Sequence, residues 1–142
     1  MTHARMSVAE IEDLLHREFP QAFSHGDISI ETADGRTSLL RQRFNDRMLR
    51  PGGTVSGPTL MALADFAMYV VLLSAIGPVA LAVTTNLNIN FLRKGQPGQD
   101  VVAVARLLKL GKRLAVGEVS LLSGTSPDPI AHVTSTYSIP IV

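Results

Sequence analysis

Residues 59–75 are apolar at nearly every position, and Asp65 is the only charged residue between Thr59 and Ile76. A helix that is oily all round is one enclosed on most faces. The segment therefore predicts a buried central helix, opened by Pro58, which a first turn tolerates, and stopped at Gly77-Pro78. Downstream the period changes to two. Val83, Thr85, Leu87, Ile89 and Phe91 fall on one face of an extended run over residues 80–92, and Thr84, Asn86, Asn88 and Asn90 fall on the other. The first face reads as core and the second as polar. Three more strand-like runs, 100–110, 113–122 and 130–141, follow after short Gly- and Pro-containing connections, which predicts an antiparallel meander.

The N-terminal part has its own signals. Ser7 and Glu10 have the spacing of a capping box, and Val8, Ile11, Leu14 and Leu15 form one apolar stripe, so residues 1–20 hold an amphipathic helix that ends before Pro20. Ile28 and Ile30 alternate with polar neighbours, Ala33-Asp34-Gly35 reads as a turn, and residues 37–44 resume an extended pattern, giving a first hairpin. Residues 46–57 contain one proline and three glycines, too many breakers for a regular element. Six strands with one long buried helix between the second and third describe a single α+β domain over residues 1–142, an antiparallel curved sheet gripping a central helix.

Length and composition narrow the function. A chain of 142 residues is one ordinary domain with a real core. Although the central helix approaches the length of a membrane span, Asp65 lies inside it and everything after it reads as strand, so no membrane is expected. Cysteine is absent, which removes disulfides, thiolate metal sites and cysteine nucleophiles, and the acidic N-terminus is unlike a signal peptide; a cytoplasmic protein is expected. His3, His16, His25 and His132 share no ligand spacing, so no metal is expected either. The net charge of +1 hides a basic second part, with Arg93, Lys94, Lys112 and Arg113 beyond the central helix. Such clusters suit either a phosphate-bearing small molecule or plain solvation. Nucleic acid is not expected, since the seven aromatics are not interleaved with basic residues.

The costliest residue is Asp65. An ionised carboxylate on an oily helix costs several kcal/mol unless paired or solvated, and such a cost usually marks a site. Just upstream, Gly52-Gly53-Thr54-Val55-Ser56-Gly57-Pro58 leads into a helix start, where unpaired amides and the positive end of the helix dipole suit a developing oxyanion.

The order of that loop, Leu-Ala-Asp on the central helix, Asn-Ile-Asn-Phe-Leu-Arg on the next strand and then Gly-Lys-Arg resembles the hotdog-fold acyl-CoA thioesterases of the phenylacetic-acid-degradation (PaaI) type, over roughly residues 36–140. The resemblance implies a hotdog fold, hydrolysis of acyl-CoA without a cofactor, and a homodimer or dimer of dimers with the site at the interface. It puts Asp65 at the position of the catalytic acid, as general base or nucleophile, and Thr84 at that of a Ser or Thr supplied by the partner's strand. Arg50 stands where the family has a polarising amide, Ser56 where it has His, and Pro58 replaces a glycine, which leaves the Gly57 amide as the oxyanion contact. Arg50 retains donors for a thioester carbonyl, and Ser56 is suited to capping the helix or to lining the substrate site. Arg93, Lys94, Lys112 and Arg113 become candidates for the coenzyme A phosphates. The Arg50 and Ser56 departures also admit an alternative, a catalytically silent hotdog domain that binds an acyl-CoA or an aromatic ligand.

Overall fold

The computed structural model describes residues 4–23 and 27–141. Helix α1 (Val8–Glu18) begins with the predicted capping box: the Glu10 amide donates to Ser7 Oγ at 3.1 Å and the Ser7 amide donates to Glu10 Oε1 at 2.9 Å. It buries Ile11, Leu14 and Leu15 and runs into a 3-10 turn at Pro20–Phe23. Strands β1 (Ile28–Ala33) and β2 (Thr37–Gln42) form the first hairpin. Its turn is closed by Asp34, whose carboxylate accepts the amides of Arg36 and Thr37 at 2.9 and 2.7 Å, while Gly35 takes a φ of 89° that a side chain would resist.

Helix α2 (Gly57–Ile76) touches all six strands, including β3 (Val83–Phe91), β4 (Val101–Leu110), β5 (Leu114–Ser123) and β6 (Pro129–Ser138). By length and composition α2 is apolar enough to cross a membrane; here the sheet encloses it, and twelve of its twenty residues are buried. The enclosure is incomplete. Pro58, Met61 and Ala62 are exposed and Asp65 is half-buried. Their spacing of three, four and seven residues is that of one helix stripe, so the helix is open along a single line and not oily contact all round.

The sheet is antiparallel in the order β1-β2-β4-β5-β6-β3. The predicted meander holds for β4, β5 and β6 and fails for β3, which crosses to the far edge and pairs with β6 while β4 pairs with β2. Composition explains the placement. β4 begins Val-Val-Ala, all buried, which suits a central strand, whereas the amide-rich β3 is mostly exposed and suits an edge.

β3 corrects a second expectation. Its register against β6 sets Thr84 opposite Tyr137 but Asn86 opposite Thr136, a bulge at Thr85. The extra residue moves Thr84 off the face of the three asparagines and onto the helix-facing side with Leu87 and Ile89.

Candidate active site

Asp65 projects from the third turn of α2 on the open stripe. Its Oδ1 accepts the Thr84 hydroxyl at 2.5 Å and the Tyr137 phenol at 2.9 Å, and the same phenol lies 3.1 Å from the Asp65 carbonyl. Among the described residues no donor reaches Oδ2, and Asp65 lines two cavities. One carboxylate oxygen is held, and the other takes no donor among the described residues. That is the arrangement a base needs to accept a proton from water without changing rotamer.

The donors are themselves fixed. Tyr137 is 3% exposed, and burial pushes its phenol far above the usual tyrosine range, so it stays protonated and serves as a donor. Its ring stacks on Tyr69 with centroids 6.0 Å apart and planes 16° from parallel. Tyr69 is anchored in turn by donating to the Ala80 carbonyl at 2.6 Å, and burial raises its pKa as well. Thr84 is placed by the Thr85 bulge, without which its side chain would leave the helix-facing side.

The larger cavity, about 540 Å³, runs beside α2 from Tyr69 and Tyr137 to Pro58 and Thr59, with Ile28 and Gln42 opposite. The smaller, about 280 Å³, lies between Asp65, Thr84 and the chain over residues 80–83. Phe19 borders both.

The other sequence candidates sit elsewhere in the chain. Ser56 is the N-cap of α2, its Oγ accepting the Thr59 amide at 3.3 Å and lying 2.8 Å from Thr59 Oγ1. Gly57 opens the helix with an amide that takes no acceptor among the described residues, and a Cβ placed there would stand 3.2 Å from the Phe91 ring. Arg50 is exposed in the loop before it, where its amide donates to the Thr54 carbonyl at 2.9 Å. None of these three lines the cavities beside Asp65.

The basic residues divide between the two ends of the sheet. Arg93 and Lys94 follow Phe91 near the start of α2, with Arg93 donating to the Pro129 carbonyl at 2.7 Å. Lys112 and Arg113 lie in the exposed β4–β5 turn, next to Leu114, which pairs with Ser138 opposite Val83. One chain therefore does not gather them around one ligand. Thr84, expected from a second copy, reaches Asp65 within its own chain, because the bulge turns it inward. His132 lies 3.9 Å from Glu118, His16 is exposed, and among the described residues no three His, Cys, Asp or Glu side chains converge; His3 and His25 lie outside the described residues.

Sequence reasoning missed Tyr137 and Phe19. A signal for Tyr137 exists: it continues the inward positions Ala131, Val133 and Ser135 of β6, and a tyrosine facing a core must find a partner for its hydroxyl. Phe19 carries none, since a phenylalanine at a helix end reads as packing.

Residues 52–129 match the family model of the thioesterase superfamily. A provisionally named thioesterase from Silicibacter sp. TM1040 has a crystal structure that superposes with a TM-score of 0.89 at 42% identity, covering 99% of this chain and 96% of that one. A provisionally named esterase of Saccharolobus solfataricus is 33% identical over 122 residues, 85% of this chain and 78% of its own length. At the level of fold, the PaaI protein of the Escherichia coli phenylacetic acid degradation operon matches with a TM-score of 0.76 and 20% identity over 89% of this chain and 93% of that one. A Streptococcus mutans protein solved with acetyl CoA bound matches with a TM-score of 0.71 and 20% identity over 80% and 88%. A helix-gripping six-stranded sheet, a carboxylate on the helix and the matching family model lead to one assignment: the chain belongs to the thioesterase superfamily and has the hotdog fold.

Proposed function

We propose that this protein hydrolyses acyl-CoA thioesters to the free acid and coenzyme A, with Asp65 as general base. The observation that carries the reading is the asymmetry of the Asp65 carboxylate in a residue that lines both cavities, with Oδ1 held by Thr84 and Tyr137 and Oδ2 given no donor among the described residues. Water bound at Oδ2 gives up a proton as its oxygen attacks the thioester carbonyl. The tetrahedral oxyanion then collapses, the carbon–sulfur bond breaks, and the proton leaves with the thiolate. Coenzyme A as the carrier fits the acetyl CoA bound by the Streptococcus mutans neighbour.

The oxyanion donor comes from a second copy on this reading. Gly57 and Asp65 are eight residues apart on one helix, about 12 Å at 1.5 Å per residue. Reacting atoms must lie within about 3.5 Å of one another, so both cannot serve one carbonyl from the same chain. The β3 edge supplies the geometry. Among the described residues its outer side pairs with no strand, and it exposes Val83 and Phe91 at 57% and 54%. Antiparallel pairing of two β3 strands about Leu87 sets Phe91 of each copy opposite Val83 of the other. Gly57, which packs on Phe91, and the nearby Arg50 then arrive beside the partner's Asp65 and Thr84. The same rotation brings Arg93 and Lys94 of one copy towards Lys112 and Arg113 of the other, a basic rim suited to coenzyme A phosphates.

Asp65→Asn and Asp65→Ala test the reading against a panel of acyl-CoA substrates. The expected result is turnover by the native protein and a loss of about a hundredfold or more in kcat for both variants. Undiminished turnover removes Asp65 from the mechanism. Tight acyl-CoA binding by a native protein that turns nothing over establishes the silent binding domain instead.

A further inference from the structure

Two cavities meet at Asp65, and four residues border both: Asp65, Tyr69, Tyr137 and Phe19. The first three belong to the central helix and the sheet. Phe19 belongs to neither. It is the C-cap of α1, held by its amide donating to the Leu15 carbonyl at 2.7 Å, and its own carbonyl accepts the Ala22 amide at 3.1 Å, which folds the 3-10 turn back along the open stripe of α2. Phe19 and Ala22 thereby become the outer wall of the larger cavity, whose inner wall is Ala62, Leu63 and Phe66.

The two chambers differ in chemistry. To the three aromatic residues that border both, the larger adds Phe66 and the aliphatic side chains of Ile28, Ala62 and Leu63. The smaller is edged by Glu18, Thr84 and the chain over residues 80–83. The lining of the larger follows α2 from Tyr69 to Pro58, eleven residues or about 16 Å of helix. An aryl ring would leave most of that length empty, whereas an extended alkyl chain fills it.

From this we infer that the larger chamber binds a straight, medium-length acyl chain lying along α2 from Asp65 towards Pro58, and that Ala22 on the N-terminal turn sets how long that chain can be. The inference rests on the thioesterase reading for the position of the carbonyl at Asp65. The N-terminal segment, which lies outside the residues that match the family model, is thus the specificity element: Phe19 stands at the border of the acyl chamber and the thiol side, and the small Ala22 leaves room for the tail. Each methylene buried there strengthens binding by about fourfold until the chamber is full.

The experiment compares the native protein with Ala22→Trp and Ala22→Ser on straight acyl-CoA substrates from acetyl to hexadecanoyl and on benzoyl-CoA, alongside calorimetric binding of free dodecanoate. In the native protein kcat/KM is expected to climb with chain length to a medium-length optimum. Ala22→Trp should shift that optimum to short chains and weaken dodecanoate binding at least tenfold with the melting temperature near native; Ala22→Ser should keep the native profile. An unchanged length profile and unchanged dodecanoate binding in Ala22→Trp overturn the inference, as does a native optimum at benzoyl-CoA. Dodecanoate binding that Ala22→Trp abolishes, in a protein that hydrolyses no acyl-CoA, sustains the chamber and overturns the thioesterase reading alone.

Discussion

Tyr137 donates its phenol hydrogen to Asp65 Oδ1 at 2.9 Å, across 72 residues of sequence and from the opposite layer of the fold. The bond is made to the oxygen that Thr84 already holds, so the two hydroxyls together fix the orientation of the carboxylate. Tyr137→Phe keeps the ring and its stacking on Tyr69 and removes only that donor. A hydrogen bond to a charged group is worth about 1.5–3 kcal/mol, so kcat is expected to fall by about ten- to a hundredfold with KM near native. Steady-state kinetics on the preferred acyl-CoA check this; a native kcat shows that Thr84 alone positions the carboxylate.

Gly117 lies where β5 passes over α2. A Cβ there would stand 2.6 Å from the Met68 sulfur and 2.8 Å from the Arg106 carbonyl oxygen. The methionine is flexible and can move; the β4 backbone cannot without breaking its ladder. Gly117→Ala is therefore expected to destabilise by about 1–3 kcal/mol, read as a lowered midpoint in urea unfolding.

Ser74 is fully buried and works in two directions. Its hydroxyl donates to the Val71 carbonyl at 2.7 Å and accepts the Gly35 amide at 3.1 Å, which pins the β1–β2 turn to the far end of α2. Ser74→Ala strands a buried amide, at an expected cost of about 1–3 kcal/mol. Hydrogen exchange should show the Gly35 amide losing its protection first, because the rest of the hairpin keeps its own ladder.

Asp34 offers a test by pH. The amides of Thr37 and Arg36 hold its carboxyl below the ordinary value of 3.8. A depressed folded value means that the stabilisation is fully present above the unfolded value and is lost as pH falls through the folded one. Asp34→Ala should therefore cost about 1 kcal/mol near neutral pH, an exposed site keeping the figure small, and the gap to the native protein should close below about pH 4. Urea unfolding of both proteins across that range measures it.

What the amino-acid sequence makes legible is whatever local pattern dictates. The capping box at Ser7 and Glu10, the span of α2, the Asp34-Gly35 turn and the strands all follow from periodicity and breaker residues, which act over a few positions. Asp65 was visible for a related reason, since a charge in an apolar run is conspicuous in one dimension. Its neighbours were not. Thr84 was legible as a hydroxyl but placed on the wrong face, because one extra residue at Thr85 reverses every side chain before it, and a bulge is decided by the pairing partner.

The sequence by itself determined the elements, the α+β class and the residue whose desolvation demanded a reason. Tertiary structure alone decided the strand order, the open stripe on α2, the donation by Tyr137 and the wall made by Phe19 and Ala22. The physical reason is the range of the forces involved. Periodicity and capping are set by neighbours within a turn or two of the chain, whereas strand order, cavities and long-range hydrogen bonds depend on how a curved sheet closes around its helix and where that closure stops short.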